Sequence, residues 1–143
     1  EYDKRLGAYV QATPSMKQLM SVPGIGPVNA TLLFSHMGDP KRFPNGRQFS
    51  ASIGLVPRQY SSGGKNILKS ITKRGNSEVR RQLVHGARAA LRQFQRQEHP
   101  DRLAQWIIRL AARVGQRKAI VALANKMARI CWSILAHQRS YQA

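Results

Sequence analysis

The stretch Pro23-Gly24-Ile25-Gly26-Pro27-Val28-Asn29-Ala30-Thr31-Leu32-Leu33 decides how this chain is read. Two glycines in a Pro-Gly-apolar-Gly step allow a tight turn and a close approach of backbone. Pro27 suits the first position of a helix, where its missing N–H has no helical partner anyway. Val28 to Met37 is apolar enough for a buried helix, and Gly38-Asp39-Pro40 stops it. Upstream, Thr13 followed by Pro14 reads as an N-cap and a first helical residue, so a short helix runs to about Ser21. Two helices around such a turn form the helix-hairpin-helix pattern over residues 14–37. In that pattern the backbone N–H groups opening the second helix face a phosphate oxygen without reading any base. Gly24 and Gly26 are then candidate nucleic-acid contacts. An ordinary αα-turn, where glycine only lets two helices pack, accounts for the same residues.

Downstream, Asn45 and Gly46 open a short helix through Ile53, with Gly54 closing it. Leu55 to Arg74 shows no helical periodicity. It holds Pro57, the run Ser61-Ser62-Gly63-Gly64, and Ile71-Thr72. The expectation is a long loop over 55–75 that admits a small hairpin. A structureless segment of that length within a compact domain is often functional. Then Asn76 caps a helix, with Glu78 in its first turn. Val79, Leu83, Ala87, Ala90 and Phe94 form one apolar stripe, and Arg81, His85, Arg88, Arg92 and Arg96 form a second row at helical spacing. That row repels itself, so either phosphates or plain solvation must accommodate it. Asp101 caps another helix, with Leu103, Ile107, Leu110 and Val114 inward and Trp106 near that face. After Gly115 a last helix runs from about Arg117 to His137, burying Ile120, Leu123, Ala124, Met127, Cys131, Ile134 and Leu135. The fold class is therefore mainly α, with a bundle of about three longer helices over 76–138. Cys131 reads as a small core residue, not a nucleophile.

Charge sets the partner class. The chain of 143 residues carries 24 Lys+Arg against 6 Asp+Glu, a formal charge of +18. Between Pro40 and Gln97 only Glu78 opposes Lys41, Arg42, Arg47, Arg58, Lys65 and the basic residues after them, and no acid follows Asp101. Such a balance favours a polyanionic partner, nucleic acid above all, because each neutralised phosphate releases counterions. No hydrophobic run is read as long enough to span a bilayer, so no membrane partner is expected and the expected location is cytoplasmic, acting at the nucleoid. One cysteine excludes an intramolecular disulfide framework. The four histidines show no metal-ligand spacing, and no carboxylate cluster exists for metal-dependent strand cleavage, so no metal site is expected in this chain.

The loop residues Tyr60-Ser61-Ser62-Gly63-Gly64-Lys65 hold the candidate nucleophile. A serine hydroxyl needs activation by a base or a nearby cation, and Arg58, Lys65, Lys69, Lys73 and Arg74 surround it in sequence. Composition alone reads this segment as a plain Ser/Gly loop.

From about Leu19 to Leu91 the chain resembles the C-terminal transposase domain of an insertion-sequence family that also contains the Piv-type DNA invertases. Some members of it are guided by a bridge RNA. The matching residues, in order, are Pro23 to Leu33, Arg42-Phe43, Gln48-Phe49, Gly54-Leu55-Val56-Pro57-Arg58, Tyr60, Ser62-Gly63-Gly64, Lys73-Arg74-Gly75-Asn76 and Arg80-Arg81-Gln82-Leu83. The resemblance implies a two-part DNA recombinase. An acidic N-terminal domain would bind divalent metal, expected to be Mg. A C-terminal domain like this one would supply a serine that becomes joined to DNA. The serine directly before glycine falls on Ser62, with Ser61 the second choice. Arg58, Tyr60, Gly63, Gly64, Lys65, Lys73, Arg74, Arg80, Arg81 and Arg88 are then expected along the nucleic acid. DNA is the implied partner, a guide RNA is allowed, and a homo-oligomer is expected for synapsis. Residues 1–12 read as the end of a connecting helix from the acidic domain, and 13–143 as the C-terminal domain. A fragment lacking the acidic half is expected to be inactive alone. Two other readings fit the same residues: a non-catalytic nucleic-acid-binding module using the hairpin and the basic helices, and an interaction domain that dimerises through its last helices.

Overall fold

The structure is a computed structural model that describes residues 14–55 and 74–142. Among the described residues it is helical, with no strand. Six α-helices follow in order: α1 Pro14–Met20, α2 Pro27–Met37, α3 Gly46–Ser52, α4 Arg74–Gln95, α5 Arg102–Val114 and α6 Gln116–His137. A single 3₁₀ turn, Pro40–Arg42, lies between α2 and α3. The expected hairpin between residues 55 and 75 falls outside the described residues, as does the Thr13 cap.

The local signals are used as their chemistry demands. Asp39 caps the 3₁₀ turn by accepting from Lys41 N, Asn45 Oδ1 accepts from Gln48 N at 2.9 Å, and Asp101 Oδ1 accepts from Ala104 N at 2.9 Å. Each satisfies one of the N–H groups that a helix start leaves without a partner. Gly38 closes α2 and Gly115 closes α5, their N–H groups donating to Phe34 O and Ala111 O.

Helix α6 is the centre of the molecule. It packs against α1, α3, α4, α5 and the 3₁₀ turn, and its most extensive pairing is with α4. All seven apolar residues expected inside it are buried, together with Ala119 and Ala128. Trp132 Nε1 donates to Pro40 O at 2.9 Å and ties the 3₁₀ turn to this helix. Ser50, fully buried on α3, donates to Asn125 Oδ1 at 2.5 Å. By length and composition α6 could cross a membrane, which corrects the expectation that no segment could. Lys118, Lys126 and Arg129 interrupt its sequence but are too few to exclude it. Half of its apolar window is buried against the other helices, as in a core helix.

Two further expectations change. Helix α4 begins at Arg74, so Asn76 lies inside it and is not its cap, and Glu78 lies beyond the first turn. Glu78 is held instead by Arg81 one turn later. In α5 the fully inward positions are Ala104, Ile107 and Ala111, while Leu103, Leu110 and Val114 are half-buried. Small side chains there let α5 lie against both α4 and α6, which turns the larger residues toward the edges of the contact.

Candidate nucleic-acid interface

The expected site lies where the chain leaves α3 and returns on α4. Gly54 follows α3 with φ +82°, a left-handed conformation that a side chain would strain. Arg80, one turn and a half into α4, donates from Nη1 to Ile53 O at 3.3 Å. Its guanidinium covers Gly54 so closely that a Cβ there would lie 2.6 Å from Nη1. Arg80 is thus half-buried and joins the end of α3 to α4. Arg58, Tyr60, Ser61, Ser62, Gly63, Gly64, Lys65 and Lys73 lie outside the described residues, and only the backbone of Arg74 is described, as the first residue of α4.

At this junction a groove opens over α4, lined by Gly54, Leu55, Arg80, Arg81, His85 and Arg88, with Val84 and Val121 as its apolar floor. A second groove adjoins it, sharing Val84, Arg88 and Val121 and adding Arg117 and Lys118 from the start of α6. The two form one cationic track from the foot of the 56–73 segment to the N-terminus of α6. Among its arginines, Arg81 is paired with Glu78 at 2.5 Å, both side chains being well exposed. Gln82 Nε2 reaches the other carboxylate oxygen at 3.3 Å. This is the only ion pair among the described residues. An exposed pair of this kind contributes at most about 1 kcal/mol, so Arg81 is easily drawn to a phosphate. His85, Arg88 and Arg92 are exposed along the same helix, and Arg96 is exposed just past its end.

The sequence pointed to the α4 side of this track but not to Arg117 and Lys118. Their place opposite Arg88 follows only from how α6 crosses α4.

The glycine turn docks on the same helix. Gly24 has φ +88°, and its carbonyl accepts from Asn29 Nδ2 at 3.2 Å. The same amide donates to Gln82 O of α4 at 3.3 Å. Gly24 therefore serves helix packing. Gly26 has open space where a Cβ would stand, and it precedes α2 with no side-chain cap on that helix. Of the two glycines, Gly26 is the one beside accessible backbone.

The remaining reactive side chains are structural. Cys131 is fully buried, and burial pushes its thiol up to about 12. His36 lies within hydrogen-bond distance of Ser52 Oγ, at 3.1 Å, and burial, reinforced by Arg42, holds its pKa below the usual value. Among the described residues no group of His, Cys, Asp or Glu could hold a metal ion.

The pattern of the family described as Transposase IS116/IS110/IS902 matches residues 16–107. The chain is 42% identical over 142 residues to the transposase for insertion sequence element IS1111A of Coxiella burnetii, covering 99% of this chain and 38% of that protein. It is 39% identical over 140 residues to a probable family 20 transposase of Pseudomonas aeruginosa, covering 98% of this chain and 41% of that protein. It is 40% identical over 134 residues to the transposase for insertion sequence element IS1328 of Yersinia enterocolitica, covering 94% of this chain and 40% of that protein. The chain spans about two fifths of the length of these relatives. With the family pattern covering most of it and this identity running almost from end to end, the chain belongs to the IS116/IS110/IS902 transposase family.

Proposed function

We propose that this chain is the DNA-facing part of a transposase that breaks and rejoins DNA through Ser62. The observation that carries the reading is the pair of adjoining cationic grooves, the first of which includes Gly54 and Leu55 next to the serine-bearing segment. Phosphates of the DNA backbone lie along Arg81, Arg88, Arg117 and Lys118, which position the duplex without reading its bases. Backbone at Gly26 adds a phosphate contact from the glycine turn, in the manner of a helix-hairpin-helix. Arg58, Lys73 and Arg74 hold the reacting phosphodiester, with Tyr60, Gly63, Gly64 and Lys65 beside it. Arg80 fixes the segment's foot and adds its charge from there.

In the reaction, Ser62 Oγ attacks phosphorus. The new Oγ–P bond forms as a sugar P–O bond breaks. The hydroxyl proton passes to a base, and the departing sugar oxygen takes up a proton. The ester so formed keeps the bond energy for a later attack by another DNA hydroxyl, which regenerates the serine. Cations around the phosphate stabilise the charge that builds up during attack. Acidic residues that would hold a divalent metal are assigned to the part of the protein matching the rest of the relatives' length. A guide RNA and a homo-oligomer that brings two DNA sites together belong to the same proposal.

The test is to incubate the full-length transposase with its element-end DNA and map any covalent adduct by mass spectrometry. A nucleotide remnant on Ser62, absent from Ser62→Ala and retained in Ser61→Ala, is the expected result. An adduct that survives Ser62→Ala overturns the assignment. DNA binding with no adduct on any serine favours the non-catalytic module.

A further inference from the structure

The exit from α3 is anchored before the chain enters residues 56–73. Ser50 is fully buried, and its hydroxyl donates to Asn125 Oδ1 of α6. Its carbonyl accepts from Ile53 N at 3.1 Å and from Leu55 N at 3.2 Å, and both of those side chains are buried in the core. From the other side, Arg80 of α4 donates from Nη1 to Ile53 O at 3.3 Å. Arg80 therefore ties the exit from α3 to the helix on which the segment returns.

Two adjacent arginines differ in what they do here. Arg81 is exposed and paired with Glu78, whereas Arg80 is half-buried and turned onto the exit. Gly54 is the seat for its guanidinium. A Cβ on Gly54 would stand 2.6 Å from Nη1 and 3.8 Å from Cδ and Cζ of Arg80, so only glycine leaves that space open. Arg80 also lines the first cationic groove, and no acidic side chain among the described residues lines it with Arg80. A guanidinium carries several N–H donors in a rigid fork, more than one carbonyl can use. It can hold Ile53 O and meet a phosphate oxygen in the groove at the same time.

We propose that Arg80, seated on Gly54, is a positioning residue for strand breakage: it holds the exit of the 56–73 segment in register with DNA in the groove, and so sets the rate within the DNA complex more than the affinity. The proposal rests on the reading that this segment carries the reacting serine. Affinity is shared among exposed cations, Arg81, Arg88, Arg117 and Lys118, so that no one of them is indispensable. The exit, by contrast, has this one arginine on Ile53 O among the described residues. Misplacing a reacting group by about 1 Å can slow a reaction on the order of 100-fold.

The test uses the full-length transposase and its element-end DNA, with strand cleavage timed at saturating DNA and normalised to the DNA bound. Arg80→Ala and Gly54→Ala should each lower this rate at least about tenfold, while Kd changes less than about threefold. Gly54→Ala keeps the Arg80 charge and removes only its seat, so its loss reports position and not phosphate affinity. Arg80→Lys, which retains a charge and a donor, should have a rate between those of the parent and Arg80→Ala. Arg88→Ala should raise Kd more than Arg80→Ala does. A merely structural role would lower the amount of DNA bound and leave the rate per complex unchanged. That result, or a parental rate in Gly54→Ala, overturns the proposal. Circular dichroism confirms folding; should the alanine variants unfold, a parental rate in Arg80→Lys overturns it. Mapping the nucleotide remnant in the parent separates this role from the Ser62 assignment. A remnant on another residue of 56–73, with the Arg80 and Gly54 effects intact, refutes Ser62 and leaves the positioning role standing. A remnant on Ser62 with unchanged variant rates refutes the positioning role alone. A parent that leaves no remnant within 56–73 overturns both.

Discussion

Gly24 and Gly86 meet backbone to backbone: a Cβ on Gly86 would stand 2.4 Å from Gly24 O, and a Cβ on Gly24 would stand 2.8 Å from Gly86 O. The glycine turn between α1 and α2 thus presses on the middle of α4, on a face adjoining the arginine row. Neither residue can carry a side chain without parting the two elements. The Asn29 amide also blocks that space, 2.8 Å from a Cβ on Gly86.

Gly86→Ala should therefore destabilise the chain, although alanine is the better helix former by about 1 kcal/mol. Overpacking of a close backbone contact costs about 1–3 kcal/mol, which exceeds that gain. Urea denaturation followed by circular dichroism should show a lower midpoint with an unchanged slope. A midpoint at or above the parent's would show that the turn and α4 can separate freely.

Arg80 and Arg88 should separate stability from affinity. Arg80→Ala removes the donor to Ile53 O and should lower stability by about 1 kcal/mol, the usual worth of such a hydrogen bond. Arg88→Ala, on an exposed position, should leave the thermal midpoint unchanged. It should reduce the slope of log Kobs against log salt, for a duplex oligonucleotide, by about 0.9, the loss of one phosphate contact. Arg117→Ala and Lys118→Ala should behave like Arg88→Ala. If all three leave the slope unchanged, the track does not carry DNA.

Acid should weaken the fold at His36. Burial, and after it Arg42, holds its folded pKa below the ordinary 6.5. Between the lowered folded value and 6.5 the unfolded chain binds more protons, so stability rises with pH in that window. The contribution is complete above pH 6.5 and is lost as pH falls toward the folded pKa. Thermal midpoints taken between about pH 5 and pH 8 should show this fall, and His36→Gln should flatten it. A parent midpoint that stays level through this range would contradict the burial of His36.

Cys131 should resist thiol reagents in the folded chain. Its thiol is fully buried and its pKa is pushed up to about 12, so almost no thiolate forms at neutral pH. Ellman's reagent should label it only on unfolding, with urea dependence matching the loss of helicity. Rapid labelling without denaturant would show that the core around α6 opens locally.

The order and type of the helices were legible in the sequence because their signals are local. Asn45 and Asp101 cap as their positions suggest, and Pro27, Gly38, Gly54 and Gly115 mark the breaks. The apolar stripe of α4 is buried as its spacing implies, and Leu91 joins it. Asn76 misled because Arg74 and Gly75 extend the helix upstream of it. The interface was half legible. A row of cations on one helix follows from spacing, but Arg117 and Lys118 join that row only through the crossing of α6 over α4. Arg80 was expected along the nucleic acid through the resemblance, which said nothing of its structural contact. Its hydrogen bond to Ile53 O depends on where α3 ends relative to α4, which no periodicity encodes. The contact of Gly24 with Gly86 is of the same kind, since a glycine 62 positions away gives no local signal.

The cationic track has a consequence for the free protein. Arg88 on α4 and Arg117 and Lys118 on α6 border one groove, and those two helices make the most extensive pairing among the described residues. Mutual repulsion therefore pulls on the same seam that apolar burial closes. A polyanion laid in the groove turns that repulsion into attraction, and by mass action it stabilises the folded state by an amount that grows with the logarithm of its concentration over its Kd. Without a polyanion these exposed cations are screened only by solvent and salt. Sulfate or heparin should act on it as a thermal stabiliser before any DNA is recognised.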